Sequence, residues 1–248
     1  MTDCELWCGD CLELMKDIPD KYIDFIITDL PYGQTARNRW DVIIPFELLW
    51  DQYKRVIKDN GAIVLFSNGM FTAELMLSNK QMWRYNLIWE KTQPTGFLNA
   101  KKMPLRSHED ICVFYKKLPT YNPQKTQGHN RKVIKAEHHT TECKKSLDYG
   151  EYSLANYDST ERYPKSIWKF SKDTQKVALH PTQKPVALIE ELIKTYTNEG
   201  DIVLDSCMGS GTTGVAALNL NRKFIGTEKE LKYFNIAKGR IEGRIENA

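Results

Sequence analysis

With 248 residues, 41% hydrophobic and 27% charged, the chain is long enough to bury one sizeable α/β core and too balanced in composition for a disordered or fibrous protein. Its net charge of +3 is too small to mark a nucleic-acid binder, and no signal-like leader or span of about twenty apolar residues occurs, so a soluble cytoplasmic protein with no membrane partner is expected. The six cysteines suit a reducing compartment. Cys4, Cys8 and Cys11 lack a fourth ligand at finger spacing, and His138, His139 and Cys143 read as a polar loop, so no metal is expected.

In chain order, Trp7-Cys8-Gly9-Asp10-Cys11-Leu12 precedes an apolar run over residues 22–28 that predicts a strand. Asp29-Leu30-Pro31-Tyr32 leaves that strand, and a loop over residues 33–44 follows with Arg37, Asn38, Arg39 and Trp40. Phe46, Leu49, Trp50, Tyr53, Val56 and Ile57 form a helical stripe, which Asp59-Asn60-Gly61 is expected to stop before a strand over residues 62–67. A helix over residues 71–77 and strands near residues 85–89 and 111–115 are expected next. His108-Glu109-Asp110 sits just before the second of these strands.

Residues 116–176 hold 13 Lys and Arg against 7 Asp and Glu, a net of +6, which leaves −3 for the rest of the chain. Tyr121, Tyr149, Tyr152, Tyr157, Tyr163 and Trp168 are interleaved with those cations, a pattern suited to a polyanionic partner. His180-Pro181-Thr182-Gln183-Lys184-Pro185 then leads into an amphipathic helix of Val186, Leu188, Ile189, Leu192, Ile193 and Tyr196. Thr182 or Gln183 is expected to hydrogen-bond near its start, and Pro185 to occupy the first turn. A cation at a helix N-terminus is electrostatically unusual, so Lys184 is expected either to meet a ligand carboxylate or to stay solvated while His180 caps a loop.

Ile202-Val203-Leu204 reads as a short strand ended by Asp205, and Gly209-Ser210-Gly211-Thr212-Thr213-Gly214 fits the dinucleotide-binding string G-x-G-x-x-G as it opens a helix. A strand over residues 223–227 finishes at Glu228, 23 residues after Asp205, near the spacing of about 20 for a ribose-binding acid. Nicotinamide dinucleotide is disfavoured because the unit starts too late for a second mononucleotide half. Asp205 and Met208 also crowd the turn where a pyrophosphate needs neutral or positive surroundings.

These pieces share one chemistry. An exocyclic base amino group is a poor nucleophile because its lone pair is delocalised into the ring. Two acceptors aimed at its N–H bonds draw it toward a tetrahedral geometry, and Asp29 with the main-chain carbonyl of Leu30 can supply them, with Pro31 holding residue 30 extended. Tyr32 offers a flat face for an extruded base.

The order of Asp-x-Pro-Tyr, a variable basic middle, His-Pro-Thr-x-Lys-Pro and a late Asp-x-x-x-Gly-x-Gly-Thr-Thr resembles the β-class amino-methylating DNA methyltransferases over nearly the whole chain apart from its middle. The resemblance implies a Rossmann-like α/β fold with a seven-stranded mixed sheet, a permuted motif order, S-adenosylmethionine as cofactor, and direct methyl transfer to a flipped base in duplex DNA. Residues 1–115 would form the catalytic half, 116–176 the target-recognition region and 177–248 the cofactor half. Asp29, Leu30, Pro31 and Tyr32 match the catalytic tetrapeptide, and Asp in first place resembles the adenine-specific form, although Leu30 departs from the usual Pro. Asp10, Cys11, Asp29, His180, Thr182, Lys184, Asp205, Met208, Gly209, Ser210, Gly211, Thr212 and Glu228 match cofactor-binding positions. Arg37, Arg39, Lys91, Arg106, Arg131, Lys132 and Lys135 are the candidate DNA contacts, with the 33–44 loop closing over the target base or probing the gap it leaves.

Cytosine-N4 methylation is the main alternative, followed by an RNA or protein amide methyltransferase, a silent DNA-binding module and a nicotinamide oxidoreductase. The resemblance leaves room for a homodimer and a cognate restriction enzyme, and no residue pattern establishes either.

Overall fold

The computed structural model describes residues 3–33, 41–135, 145–146, 150–151, 156–171 and 183–245. Arg37, Arg39, His138, His139, Cys143, Tyr149, Tyr152, His180 and Thr182 therefore lie outside the described residues. The chain divides into two compact units, the first being Met1–Asn122 with Ser166–Ala248 and the second Pro123–Lys165.

In the first unit the strands are β1 (Cys4–Cys8), β2 (Ile23–Thr28), β3 (Ile57–Ser67), β4 (Trp83–Thr95) and β5 (Arg106–Phe114), and the helices are α1 (Cys11–Leu14), α2 (Phe46–Val56) and α3 (Met70–Ser78). The second unit holds β6 (Lys132–Ile134), β7 (Lys145–Ser146), β8 (Gly150–Glu151) and β9 (Tyr157–Ser159). Back in the first unit come β10 (Ile167–Phe170), α4 (Val186–Tyr196), β11 (Ile202–Asp205), α5 (Thr212–Asn219), β12 (Lys223–Glu228) and α6 (Leu231–Ile245).

The main sheet runs β1-β12-β11-β2-β3-β5-β4-β10. It is mixed, with β5 antiparallel to both β3 and β4 and every other pair parallel. Seven of its strands make the expected sheet, and β10 adds an eighth at the edge beside β4. Alternation along the strands sends side chains to two cores. Phe25, Ile27, Val64 and Phe66 pack with α4, α5 and α6, while Ile26, Ile63 and Leu65 pack with α1, α2 and α3. Helices on both faces explain why the central parallel strands read as almost continuous apolar runs.

Two features of this frame place the ligand crevice. The chain leaves β2 toward β3 on one side and leaves β11 toward β12 on the other, although β2 and β11 are parallel neighbours with Val203 opposite Phe25 and Leu204 opposite Ile26. Such a reversal opens a gap at the carboxyl ends of the two strands. Asp29 lies just past the end of β2 and Asp205 closes β11. Residues separated by most of the sequence thus meet at one edge.

Several local expectations are corrected. Helix α2 ends at Val56, and Asp59-Asn60-Gly61 lies inside β3 instead of stopping the helix. Ile57 pairs with Ile23 and Ala62 with Phe25, so the strand bulges between them. A Cβ on Gly61 would come within 2.7 Å of the Asp24 carbonyl, which is why glycine stands there. Pro185 is the N-cap of α4 instead of a residue of its first turn and makes no side-chain capping bond, and the Gln183 side-chain oxygen has no hydrogen-bond partner among the described residues; Thr182, the other expected partner, lies outside them. Trp168, counted among the polyanion-facing aromatics, is buried in the core. Ile167–Phe170, within the stretch 116–176, is a strand of the main sheet.

In the second unit, β6 pairs antiparallel with β9 and β7 with β8. Arg131 makes two hydrogen bonds to Asp158, at 2.6 and 2.5 Å, and Lys125 pairs with Glu161 at 3.0 Å. No helix among the described residues is long and apolar enough to cross a membrane.

Candidate active site

A cavity of about 670 Å³ occupies the crevice between β2 and β11, within the range of small-molecule sites. Of the residues matched to the cofactor and to catalysis, all that are described line this cavity except Gly211: Asp10, Cys11, Asp29, Leu30, Pro31, Tyr32, Lys184, Asp205, Met208, Gly209, Ser210, Thr212 and Glu228. Gly211 stands beside them as the N-cap of α5, at φ +78°, and a Cβ there would come within 2.9 Å of Ala237 on α6. The turn therefore needs glycine both for its backbone conformation and for its packing.

At the cofactor end, Asp205 is buried and accepts hydrogen bonds from Thr213 Oγ1 at 2.6 Å and from the Cys207 N–H at 3.1 Å. Burial pushes its carboxyl up to about 7 against those bonds. Glu228, at the end of β12, accepts from the Gly209 N–H at 2.9 Å and the Glu230 N–H at 2.8 Å, which ties the turn to the neighbouring strand. Burial raises this carboxyl as well. Asp10 caps α1 through the Leu12 N–H at 3.0 Å and also receives Lys229 at 3.2 Å. Arg240, a residue that no sequence pattern singles out, reaches back from α6 to donate to the Ser210 carbonyl at 2.6 Å and clamps the turn.

The tetrapeptide end is built differently. Tyr32 donates to Asp29 Oδ1 at 2.7 Å, and Lys184 donates to Asp29 Oδ2 at 2.6 Å. Lys184 also lies 3.2 Å from Glu109 Oε2, while Glu109 Oε1 pairs with Lys91 at 2.5 Å. Four buried or half-buried charges thus alternate in sign along one chain. Burial alone would push Lys184 down, but Asp29 and Glu109 hold it up as a cation. Burial likewise works against ionised Glu109, but Lys184 and Lys91 hold its carboxyl below the usual range. Asp29 is raised by burial, with Glu109 adding to the rise and Lys184 opposing it. Burial and the charge of Asp29 push the Tyr32 phenol up, so it remains a donor. One face of the Tyr32 ring stacks on Phe71, with centroids 4.8 Å apart.

These contacts revise two expectations. Lys184 meets carboxylates of the chain itself, Asp29 and Glu109, where a ligand carboxylate or solvent was expected. Lys91 is not a surface DNA contact, because it is 6% exposed and its charge is taken up by Glu109. Arg106 is exposed and lines the cavity, and Lys132 and Lys135 are exposed on the second unit. Glu109 belongs to the site and was not singled out for chemistry. Its trace in the sequence is weak, because it sits in the polar run Arg106 to Asp110 that precedes the apolar end of β5.

The cavity fits a cationic sulfonium cofactor. Among the described residues around the turn, Asp10, Asp205, Glu228 and Glu230 line it with Lys229, and burial raises the carboxyls of Asp205 and Glu228. No group of three or more metal-ligating side chains is arranged for an ion among the described residues.

Comparison with known proteins agrees with this geometry. A family model described as DNA methylase matches residues 23–239. The chain is 27% identical to the Type II methyltransferase M.HinfI of Haemophilus influenzae over 94% of this chain and 67% of that protein. It is 28% identical to the Type II methyltransferase M2.MboI of Moraxella bovis over 95% and 86% of the two chains. The crystal structure of the M1.HpyAVI-SAM complex is similar with a TM-score of 0.63 at 28% identity, covering 96% of this chain and 99% of that one. The PvuII DNA methyltransferase, described as cytosine-N4-specific, shares the fold with a TM-score of 0.68 at 16% identity over 99% and 91%. The chain belongs to the N6/N4 DNA methylase family, enzymes that use S-adenosylmethionine.

Proposed function

We propose that this enzyme methylates the exocyclic N6 of an adenine flipped out of duplex DNA. The observation that carries the reading is Asp29, a buried carboxylate at the end of β2 that shares one cavity with the Gly209–Thr212 turn and is oriented by Tyr32 and Lys184. S-adenosylmethionine supplies an electrophilic methyl on a sulfonium. Asp29 and the Leu30 carbonyl accept the two N–H bonds of the target amino group. Each carboxylate oxygen has two lone-pair sites, so the bonds from Tyr32 and Lys184 leave room for a third partner. Lys184 keeps Asp29 oriented and offsets its charge. The free face of Tyr32 stacks on the base while Phe71 backs the other face. Catalysis then comes chiefly from positioning.

Asp in the first place of the tetrapeptide supports adenine over cytosine. Arg106 at the cavity rim, with Lys132 and Lys135 on the second unit, would neutralise phosphates. Mass spectrometry of nucleosides from unmethylated DNA treated with the enzyme and S-adenosylmethionine tests the reading. N6-methyladenine is the expected product, and N4-methylcytosine without it contradicts the assignment.

A further inference from the structure

Strands β4 and β5 run past the sheet and are joined by residues 96–105. Thr95 pairs with Arg106 at the base of this tip, and both residues line the cavity. The tip thus leaves directly from the rim of the site. It presents Phe97 at 77%, Leu98 at 84% and Met103 at 57% exposure, beside Lys101 and Lys102, and it contains no acidic residue. A patch this apolar on a surface segment marks a contact surface more often than chance exposure.

The apolar side chains are held in place. Gly96 takes φ +90° and opens a 3₁₀ turn over Phe97–Asn99. Asn99 N–H donates to the Gly96 carbonyl at 2.9 Å and Ala100 N–H to the Phe97 carbonyl at 3.1 Å. Lys102 and Met103 N–H both donate to the Asn99 carbonyl, at 2.8 and 3.0 Å. Phe97 and Leu98 therefore project from a wound turn. Lys101 and Lys102 have no acidic partner among the described residues.

We propose that this tip is a wedge for duplex DNA, with Phe97 and Leu98 entering the base stack where the target nucleotide has left and Lys101 and Lys102 meeting the flanking phosphates. The inference rests on the extrusion of a target base proposed above. Apolar side chains that part base steps are a general means of offsetting lost stacking, and cations beside them fix the wedge on the backbone. Attachment at the cavity rim puts the wedge next to the pocket that would receive the base. The positive, acid-free tip favours a polyanion over a second copy of this chain.

The test compares wild type with Phe97→Ala/Leu98→Ala once the methylated word has been read from treated DNA. Single-turnover transfer is measured on the intact duplex and on the same duplex with an abasic site opposite the target, which removes the need to break the pair. The expected result is a loss of about 30-fold on the intact duplex, nearly wild-type transfer on the abasic substrate and unchanged S-adenosylmethionine affinity. Lys101→Ala/Lys102→Ala should weaken DNA binding and flatten its salt dependence. Equal loss on both substrates, no loss on either, or a shift in sedimentation showing that the tip joins two copies would each overturn the wedge. Absence of any DNA methylation by wild type would instead overturn the functional reading beneath it.

Discussion

Among the described residues, Asp10, Asp205, Glu228 and Glu230 line the cavity at the turn after β11 against a single lysine, Lys229, whereas around the tetrapeptide Asp29, Asp41 and Glu109 are matched by Lys91, Arg106 and Lys184. One end holds more carboxyls than cations, and the other holds equal numbers among the described residues. The difference tracks the two ligands. A sulfonium cofactor brings positive charge and is drawn by an excess of carboxyls held in place by backbone and hydroxyl donors. A nucleobase is neutral and gains nothing from a net field, so its pocket can hold polarised acceptors whose charges cancel nearby. At the balanced end Lys184 opposes the burial that raises the Asp29 carboxyl, and removing that cation would leave the carboxylate desolvated without its ion-pair partner.

Breaking the balanced end should have the largest effects. Asp29→Ala is expected to lower methyl transfer by about 10²–10³-fold, as for other oriented electrostatic contacts to a reacting group. Equilibrium titration should leave S-adenosylmethionine affinity nearly intact. Lys184→Met leaves Asp29 buried without its cation and Glu109 with Lys91 as its remaining partner, and should cost about 3–5 kcal/mol of stability in denaturant unfolding. A cost near zero would show that the charge chain is not an energetic unit.

The acidic end is probed by pH. The Asp205 carboxyl stands near 7 in the fold against an ordinary 3.8. The folded chain therefore keeps a proton that the unfolded chain has released between those values, and this group's contribution makes stability fall as pH rises from about 4 to 7. Cofactor affinity should move the other way, rising through pH 7 as Asp205 ionises. Asp205→Asn should flatten both profiles and weaken cofactor binding by about tenfold.

The smallest effects belong to the second unit. Arg131 is already held by Asp158, so Lys132→Ala and Lys135→Ala should each lower the salt slope of DNA binding more than Arg131→Ala does. The reverse order would mean that Asp158 releases Arg131 when DNA binds.

The sequence carried the frame and the cofactor end well, for a physical reason. Parallel strands buried on both faces appear as apolar runs, and a turn at positive φ favours glycine, as at Gly209 and Gly211, so Ile202 to Gly211 is readable residue by residue. Asp29 and Tyr32 were legible because their chemistry needs adjacent residues. The charge chain was not, since Lys91, Glu109 and Lys184 come from two strands and the approach to α4, and only the fold makes them neighbours. Lys184 was recognised as a cation wanting an anion, but a sequence does not say which anion. Gly61 misled for a related reason, because Asp-Asn-Gly spells a turn and here marks a strand bulge pressed against Asp24.

The division of labour between the two ends is tested most directly by single-turnover methylation of DNA across rising S-adenosylmethionine, run in parallel on Asp29→Asn and Asp205→Asn. Saturating cofactor is expected to restore most of the rate to Asp205→Asn and none to Asp29→Asn. Recovery of Asp29→Asn at high cofactor would contradict it, placing that carboxylate on the cofactor and not on the base.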